Sequence, residues 1–173
     1  LDLACGTGRI TIPLLQMGAD VDGLDLFQPM LDHLREKAAA LGFRPSLYHY
    51  DMRQFTLPRR YSRVICAFNA FAHCETIDDQ LRALRCIREH LEPGGVLVLH
   101  MSYPSLALWT DPNGEPVLEL QSTHPINGNT LQLWDTRFKN TVGQSQRSQV
   151  EVRELDATGR CLDSQRYENL QRW

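Results

Sequence analysis

The chain has 173 residues, 42% of them hydrophobic and 23% charged, with a formal net charge of −3. That size and balance suit a soluble globular domain with an appended module, and the acidic balance, with only Arg59 and Arg60 adjacent, argues against a nucleic-acid partner. No apolar run approaches the ~18 residues that a membrane span requires. Five cysteines without a C-x-x-C pair predict buried thiols in a reducing compartment, hence a cytoplasmic protein, and six scattered histidines predict no metal site.

In chain order, Leu1-Asp2-Leu3-Ala4-Cys5-Gly6-Thr7-Gly8 reads as a short apolar strand running into a turn with two glycines, followed by a helical pattern at Ile10, Leu14, Leu15 and Met17. Glycine in such a turn lets backbone N–H groups approach a ligand. The dinucleotide pattern G-x-G-x-x-G is incomplete, because Thr11 holds the third position. Val21–Leu26 reads as a second strand, placing Asp25 17 residues beyond Gly8, close to the roughly 20-residue offset at which a carboxylate meets ribose hydroxyls. The helix after it begins near Gln28-Pro29, carries Met30, Leu31, Leu34, Ala38 and Leu41 at helical spacing and ends at Gly42. Ser46–Tyr50 is the third strand and Tyr61–Ala67 the fourth. A helix over roughly Ile77 to Leu91 presents Leu81, Leu84, Ile87 and Leu91 as its core stripe, with Asp78 and Asp79 in its first turn.

Together these segments resemble the class I S-adenosylmethionine-dependent methyltransferases. Asp2 to Gly8 is similar to that family's first motif, and Asp51-Met52 to its acidic adenine-binding step. Phe68-Asn69-Ala70-Phe71-Ala72-His73 resembles the fourth motif of the glycine and sarcosine N-methyltransferases and, more loosely, of nucleotide-sugar N-methyltransferases; Ala70 and Cys74 depart from it, where serine and leucine are usual. Leu91-Glu92-Pro93-Gly94-Gly95 matches the turn before the fifth strand, which runs to Leu99. The resemblance covers roughly residues 1–102 and implies an α/β, Rossmann-like parallel sheet with flanking helices, incomplete at both ends, so that the sequence reads as an internal piece of a longer protein. It implies S-adenosyl-L-methionine as cofactor, with contacts from Asp2, Ala4, Cys5, Gly6, Gly8, Asp25, Leu26, Met30, Asp51, Met52 and Phe68. Cys5 would be a tightly fitting turn residue, not a nucleophile.

The implied reaction is methyl transfer to a small molecule, an amine nitrogen being favoured as acceptor. The proline-proline-aromatic motif of nucleic-acid amino methyltransferases is absent. Asn69 and His73 are the candidate acceptor-side residues. His100, Tyr103, His124 and Asp135 are further candidate bases or orienters, while His33, His49 and His90 read as ordinary surface or strand residues. A nicotinamide-dependent oxidoreductase and a non-catalytic cofactor-binding module are the alternatives.

From Tyr103 the pattern changes. Val117–Ser122, Thr130–Lys139, Arg147–Leu155 and Cys161–Leu170 read as four strands of an antiparallel meander, with hairpin turns at Asn127-Gly128-Asn129 and Ala157-Thr158-Gly159. Gln132, Asp135, Arg137, Gln149, Glu151, Arg153, Gln165 and Arg166 suggest one wet face. Residues 1–102 are thus expected to be the cofactor domain and 103–173 a lid or dimerisation module, with the acceptor pocket between them by resemblance and a homodimer as the expected assembly.

Overall fold

The structure, a computed structural model, describes residues 1–102, 110 and 113–172. It divides into two compact units, Leu1–Ser102 and Tyr103–Trp173. Tyr103 itself lies outside the described residues.

The first unit is a five-stranded parallel sheet with spatial order β3-β2-β1-β4-β5, formed by β1 (Asp2–Leu3), β2 (Gly23–Asp25), β3 (Leu47–His49), β4 (Tyr61–Cys66) and β5 (Leu91–Leu99). Strands β1 to β4 are shorter than the apolar runs predict, whereas β5 begins at Leu91 and takes in the Leu91–Gly95 stretch expected as a turn, which enters the ladder through a register shift opposite Tyr61 and Arg63. The strand order reverses between β1 and β4, and open α/β sheets bind ligands at the carboxyl end of such a switch. Leu3, Leu24, Val64 and Cys66 are fully buried in the sheet core, and Cys5, Leu31 and Leu34 form a second cluster, with Ile12 and Leu47 packed on it.

Helix α1 (Thr11–Gln16) is short, and Met17 beyond it is exposed. Helix α2 (Gln28–Ala40) carries Pro29 in its first turn, where a missing N–H costs nothing. It closes with Gly42 in the left-handed region, the Phe43 N–H donating to the Ala38 carbonyl and the Gly42 N–H to that of Ala39, which caps the last orphan carbonyls. Leu31, Leu34 and Ala38 are its buried face; Met30 and Leu41 are not buried. Helix α3 (Ile77–His90) starts at Thr76, whose hydroxyl oxygen accepts from the Asp79 N–H at 3.0 Å. Its core stripe differs from the predicted one. Asp79, Ala83, Ile87 and His90 face inward, whereas Leu81 and Leu84 are exposed. Both stripes have helical spacing and share Ile87, so the sheet's position decides between them.

His90 is a further correction, for it is buried rather than a surface residue. Its Nε2 accepts from the Leu57 N–H at 3.0 Å, which leaves Nδ1 as the donor to the Cys86 carbonyl at 2.7 Å. The ring also lies 4.5 Å from that of Phe55. It thereby satisfies a backbone donor in the core.

The second unit is an antiparallel sheet in the order β6-β7-β8-β9, formed by β6 (Pro116–Thr123), β7 (Thr130–Asn140), β8 (Ser145–Leu155) and β9 (Cys161–Arg172). Gly128 and Gly159 take the positive φ that its turns require. The polar residues do not share one face. Side chains alternate along a strand, and the register groups Gln132, Trp134, Gln149, Glu151, Arg153 and Arg166 on one side and Asp135, Arg137 and Gln165 on the other. Asp135 is buried, accepting from Arg137 Nε, with its second oxygen unpartnered. On the first face the Glu151 carboxylate accepts from Arg153, Ser164 and Arg166. Among the described residues no helix is long and apolar enough to cross a membrane.

Hydrogen bonds led by that from Arg153 hold the Glu151 carboxyl down at about 2, against an ordinary 4.5. A depressed carboxyl stabilises the folded sheet above its unfolded value and loses that contribution as pH falls through its folded one. The difference in melting temperature between the wild type and Glu151→Gln is therefore expected to be constant above pH about 4.5 and to close between there and about 2. A pH-independent difference in thermal scans would contradict this.

Candidate active site

The loops after β1, β2, β3 and β4 surround a cavity of about 350 Å³ within the first unit, inside the ~300–1,000 Å³ range of small-molecule sites. Its wall includes eleven of the thirteen predicted site residues: Asp2, Ala4, Cys5, Gly6, Asp25, Leu26, Met30, Asp51, Met52, Phe68 and His73. Gly8 and Asn69 are not in that wall.

At the centre, Asp25 ends β2 and is buried. Its Oδ2 accepts from the Gly6 N–H at 2.8 Å and its Oδ1 from the Phe27 N–H at 2.9 Å. Each oxygen keeps a lone pair for a further donor. Gly6 has φ +52, and a Cβ there would meet nothing nearer than Met30 Sδ at 3.6 Å; the positive φ, rather than crowding, is what calls for glycine at this turn. Gly8 serves a different purpose. A Cβ on it would lie 2.2 Å from Leu34 Cδ1, so glycine here lets the loop pack closely on α2.

Asp2 is buried beneath the loop, and its Oδ2 accepts from the Thr11 hydroxyl at 2.6 Å. Burial pushes its carboxyl upward, and the Thr11 hydrogen bond opposes that shift. Thr11, at the position where a dinucleotide fingerprint has glycine, thus holds the first motif's acid. Cys5 and Cys74 are buried in the wall, and desolvation raises both thiols, Cys74 to about 11. Neither is a nucleophile at neutral pH.

At the β3 end, the Asp51 carboxylate is held by Arg53, whose Nε lies 2.9 Å from Oδ1 and Nη2 2.6 Å from Oδ2. That hydrogen bonding keeps the Asp51 carboxyl below its usual range. Arg53 Nη1 reaches Asp79 at 3.4 Å, and Arg82 pairs with Asp79 in turn. The chain of charges fastens the β3 loop to the start of α3.

At the β4 end, Phe68 and Asn69 both take positive φ, 54° and 61°. The Phe68 N–H donates to His100 Nδ1 at 3.1 Å. The Asn69 amide is turned away from the cavity, its Nδ2 donating to Ser102 Oγ at 2.9 Å and its Oδ1 accepting from the Ser102 N–H. Asn69 therefore fastens β4 to the end of β5, and the structure does not bring it to the cleft. His73, exposed on the 3₁₀ turn Ala70–His73, does reach the wall. Of the other candidate bases, His100 supports Phe68 from behind, while His124 accepts turn N–H groups in the second unit and Asp135 lies within that unit's sheet. The sequence reading missed Arg9, Phe27, Tyr50, Arg53 and Cys74 as wall residues. Of these, Arg9 carried a signal, since it directly follows the glycine turn.

A parallel sheet in this order, with a glycine turn after β1 and carboxylates after β2 and β3, is a Rossmann-like nucleotide-binding fold. Residues 1–95 match the methyltransferase domain family, and the chain belongs to that family. This displaces the nicotinamide-dependent alternative. The chain is 36% identical over 99 residues to a dTDP-3-amino-3,4,6-trideoxy-alpha-D-glucopyranose N,N-dimethyltransferase of Streptomyces venezuelae (57% of this chain, 40% of the relative). It is 31% identical over 159 residues to a dTDP-3-amino-3,6-dideoxy-alpha-D-glucopyranose N,N-dimethyltransferase of Streptomyces fradiae (91% and 56%). The SAM-bound amino pentose methyltransferase CalS10 from Micromonospora echinaspora superposes with a TM-score of 0.74 at 25% identity, covering 99% of this chain and 66% of that one. The chain thus spans about half the length of the curated relatives it matches.

Asp25→Ala removes an acceptor from the cleft and unties Gly6 and Phe27. It is expected to weaken S-adenosylhomocysteine binding by about 1–3 kcal/mol, the range for losing hydrogen bonds to an ionised partner. Calorimetry showing wild-type affinity in this variant would remove Asp25 from the site.

Proposed function

We propose that the chain binds S-adenosylmethionine in the Asp25 cleft and that its protein methylates an amine nitrogen on a small molecule, an amino sugar being the favoured acceptor. The observation that carries this reading is the buried Asp25 carboxylate bound to the Gly6 N–H at the strand-order switch. The wall suits the cofactor, since each Asp25 oxygen retains a lone pair for a ribose hydroxyl and the Gly6 turn lines the same cavity. The relatives named as amino-sugar N,N-dimethyltransferases support the acceptor class.

The cofactor supplies a methyl on a positively charged sulfur, ready for in-line displacement. The chain's residues have mainly to position and to exclude water. Asp51, fixed by the Arg53 fork, takes the adenine amino group, and Asp25 takes the ribose. Leu26, Met52, Phe68 and Ala70 give the wall its apolar surface, so partners held there lose little further freedom on the way to reaction. An amine that enters protonated must lose that proton before its lone pair can attack. His73, exposed at the wall, accepts that proton. Residues 103–173 are read as the acceptor-side or subunit-joining module, since among the described residues the outer strands β6 and β9 each pair on one side only, and an unpaired edge is a surface on which a second copy can add. The free cysteines support a reducing, cytoplasmic setting.

Incubating the full chain with methyl-labelled cofactor and a panel of amino sugars, amino acids and matching hydroxyl sugars is expected to label nitrogen alone. Equal labelling of the hydroxyl sugars would overturn the amine assignment. His73→Ala is expected to lower kcat by about 10²–10⁴-fold near neutral pH, the usual contribution of a positioned base. Activity should recover toward alkaline pH, where the amine arrives neutral, while cofactor affinity holds. An unchanged kcat at neutral pH would exclude His73 as the base.

A further inference from the structure

Arg9 is an exposed cation in a cleft whose other polar wall groups are chiefly carboxylates. The second arginine of the wall, Arg53, is taken up by Asp51 and Asp79. Arg9 forms no ion pair among the described residues; its guanidinium instead lies over the Phe68 ring, 4.6 Å from the centroid. A guanidinium stacked on a ring keeps its in-plane N–H donors free, and that planar fork matches a carboxylate.

Phe68 is shaped to serve as such a plate. It is half-exposed and holds φ +54, a conformation that bulky residues rarely adopt. His100 keeps it there, accepting the Phe68 N–H at 3.1 Å and meeting the ring edge-on at 5.5 Å. An exposed aromatic held in a strained turn by a dedicated partner points to a function for the ring.

The strand order supplies the direction. Asp51 follows β3, Asp25 ends β2, Gly6 follows β1 and Phe68 follows β4, so Asp51 and Phe68 stand at opposite ends of the cleft. A nucleoside laid with its base at Asp51 and its ribose at Asp25 carries its 5′ substituent toward Arg9. On the cofactor reading above, that substituent is an aminoacyl chain ending in a carboxylate. We infer that Arg9, plated on Phe68, anchors this carboxylate and makes the cleft selective for carboxylate-bearing nucleoside thioethers. The inference rests on the cofactor reading and adds to it the residue that recognises the ligand's anionic end.

Calorimetric titration of the full chain with S-adenosylhomocysteine and with its decarboxylated analogue tests this. The wild type is expected to prefer the carboxylate-bearing ligand. Arg9→Met should weaken that ligand about 10- to 100-fold, the range for a charge-assisted hydrogen-bonded pair, and leave the decarboxylated analogue at wild-type affinity. Arg9→Lys keeps the charge without the fork and should fall between. Phe68→Leu removes the plate and should show a smaller loss of the same selective kind. Arg9→Met binding the homocysteine ligand at wild-type strength, or losing both ligands alike, would overturn the inference. A wild type that binds neither ligand would instead overturn the cofactor reading on which it rests.

Discussion

The Asp25 carboxylate is the constraint on which the cleft depends. It sits at the tip of β2 and accepts one N–H from Gly6, in the loop after β1, and one from Phe27, the residue before α2. A hydrogen bond to an ionised group contributes about 1.5–3 kcal/mol, and here it joins three elements at one point. The Gly6 N–H can point to β2 because the loop turns through Ala4 and Gly6, both at positive φ. Gly8, pressed against Leu34, then carries the chain into α1. The cavity is the space this arrangement leaves between the strand tips.

Around that centre, the rim is fixed by groups that each satisfy another part of the frame. Thr11 holds Asp2, and Arg53 ties Asp51 to Asp79. The Gln80 side chain donates to the Cys74 carbonyl, and so anchors the His73 turn to α3. Partly exposed ion pairs of this kind add little to stability. Their effect is to hold two loops from distant parts of the chain in one geometry around the cavity.

Local strain collects at the same rim. Ala4, Phe68 and Asn69 are non-glycine residues at positive φ, each costing on the order of 1–3 kcal/mol. The buried strands beneath offset that cost, with Leu3, Leu24, Val64 and Cys66 at most 1% exposed. Asn69 and His100 use side-chain hydrogen bonds to keep the β4 loop in place. The rigid sheet thus supports a loop that would not adopt its shape alone.

The sequence alone determined the elements and the cofactor class, because both are encoded locally. A glycine turn, a carboxylate at a strand tip and two hairpin turns are recognisable from a few neighbouring residues, and β6 to β9 fall within two residues of their predicted bounds. What the tertiary structure decided is which side chains share a space. Helical spacing allows α3 to bury either Leu81 and Leu84 or Ala83 and His90, and the sheet selects the second. Asn69 and His73 lie four residues apart, yet the one is drawn to Ser102 and the other reaches the cleft. Arg9 and Phe68 are 59 positions apart in the chain and meet only because β1 and β4 are neighbours in the sheet. Contacts of that kind depend on strand order, which no local pattern records.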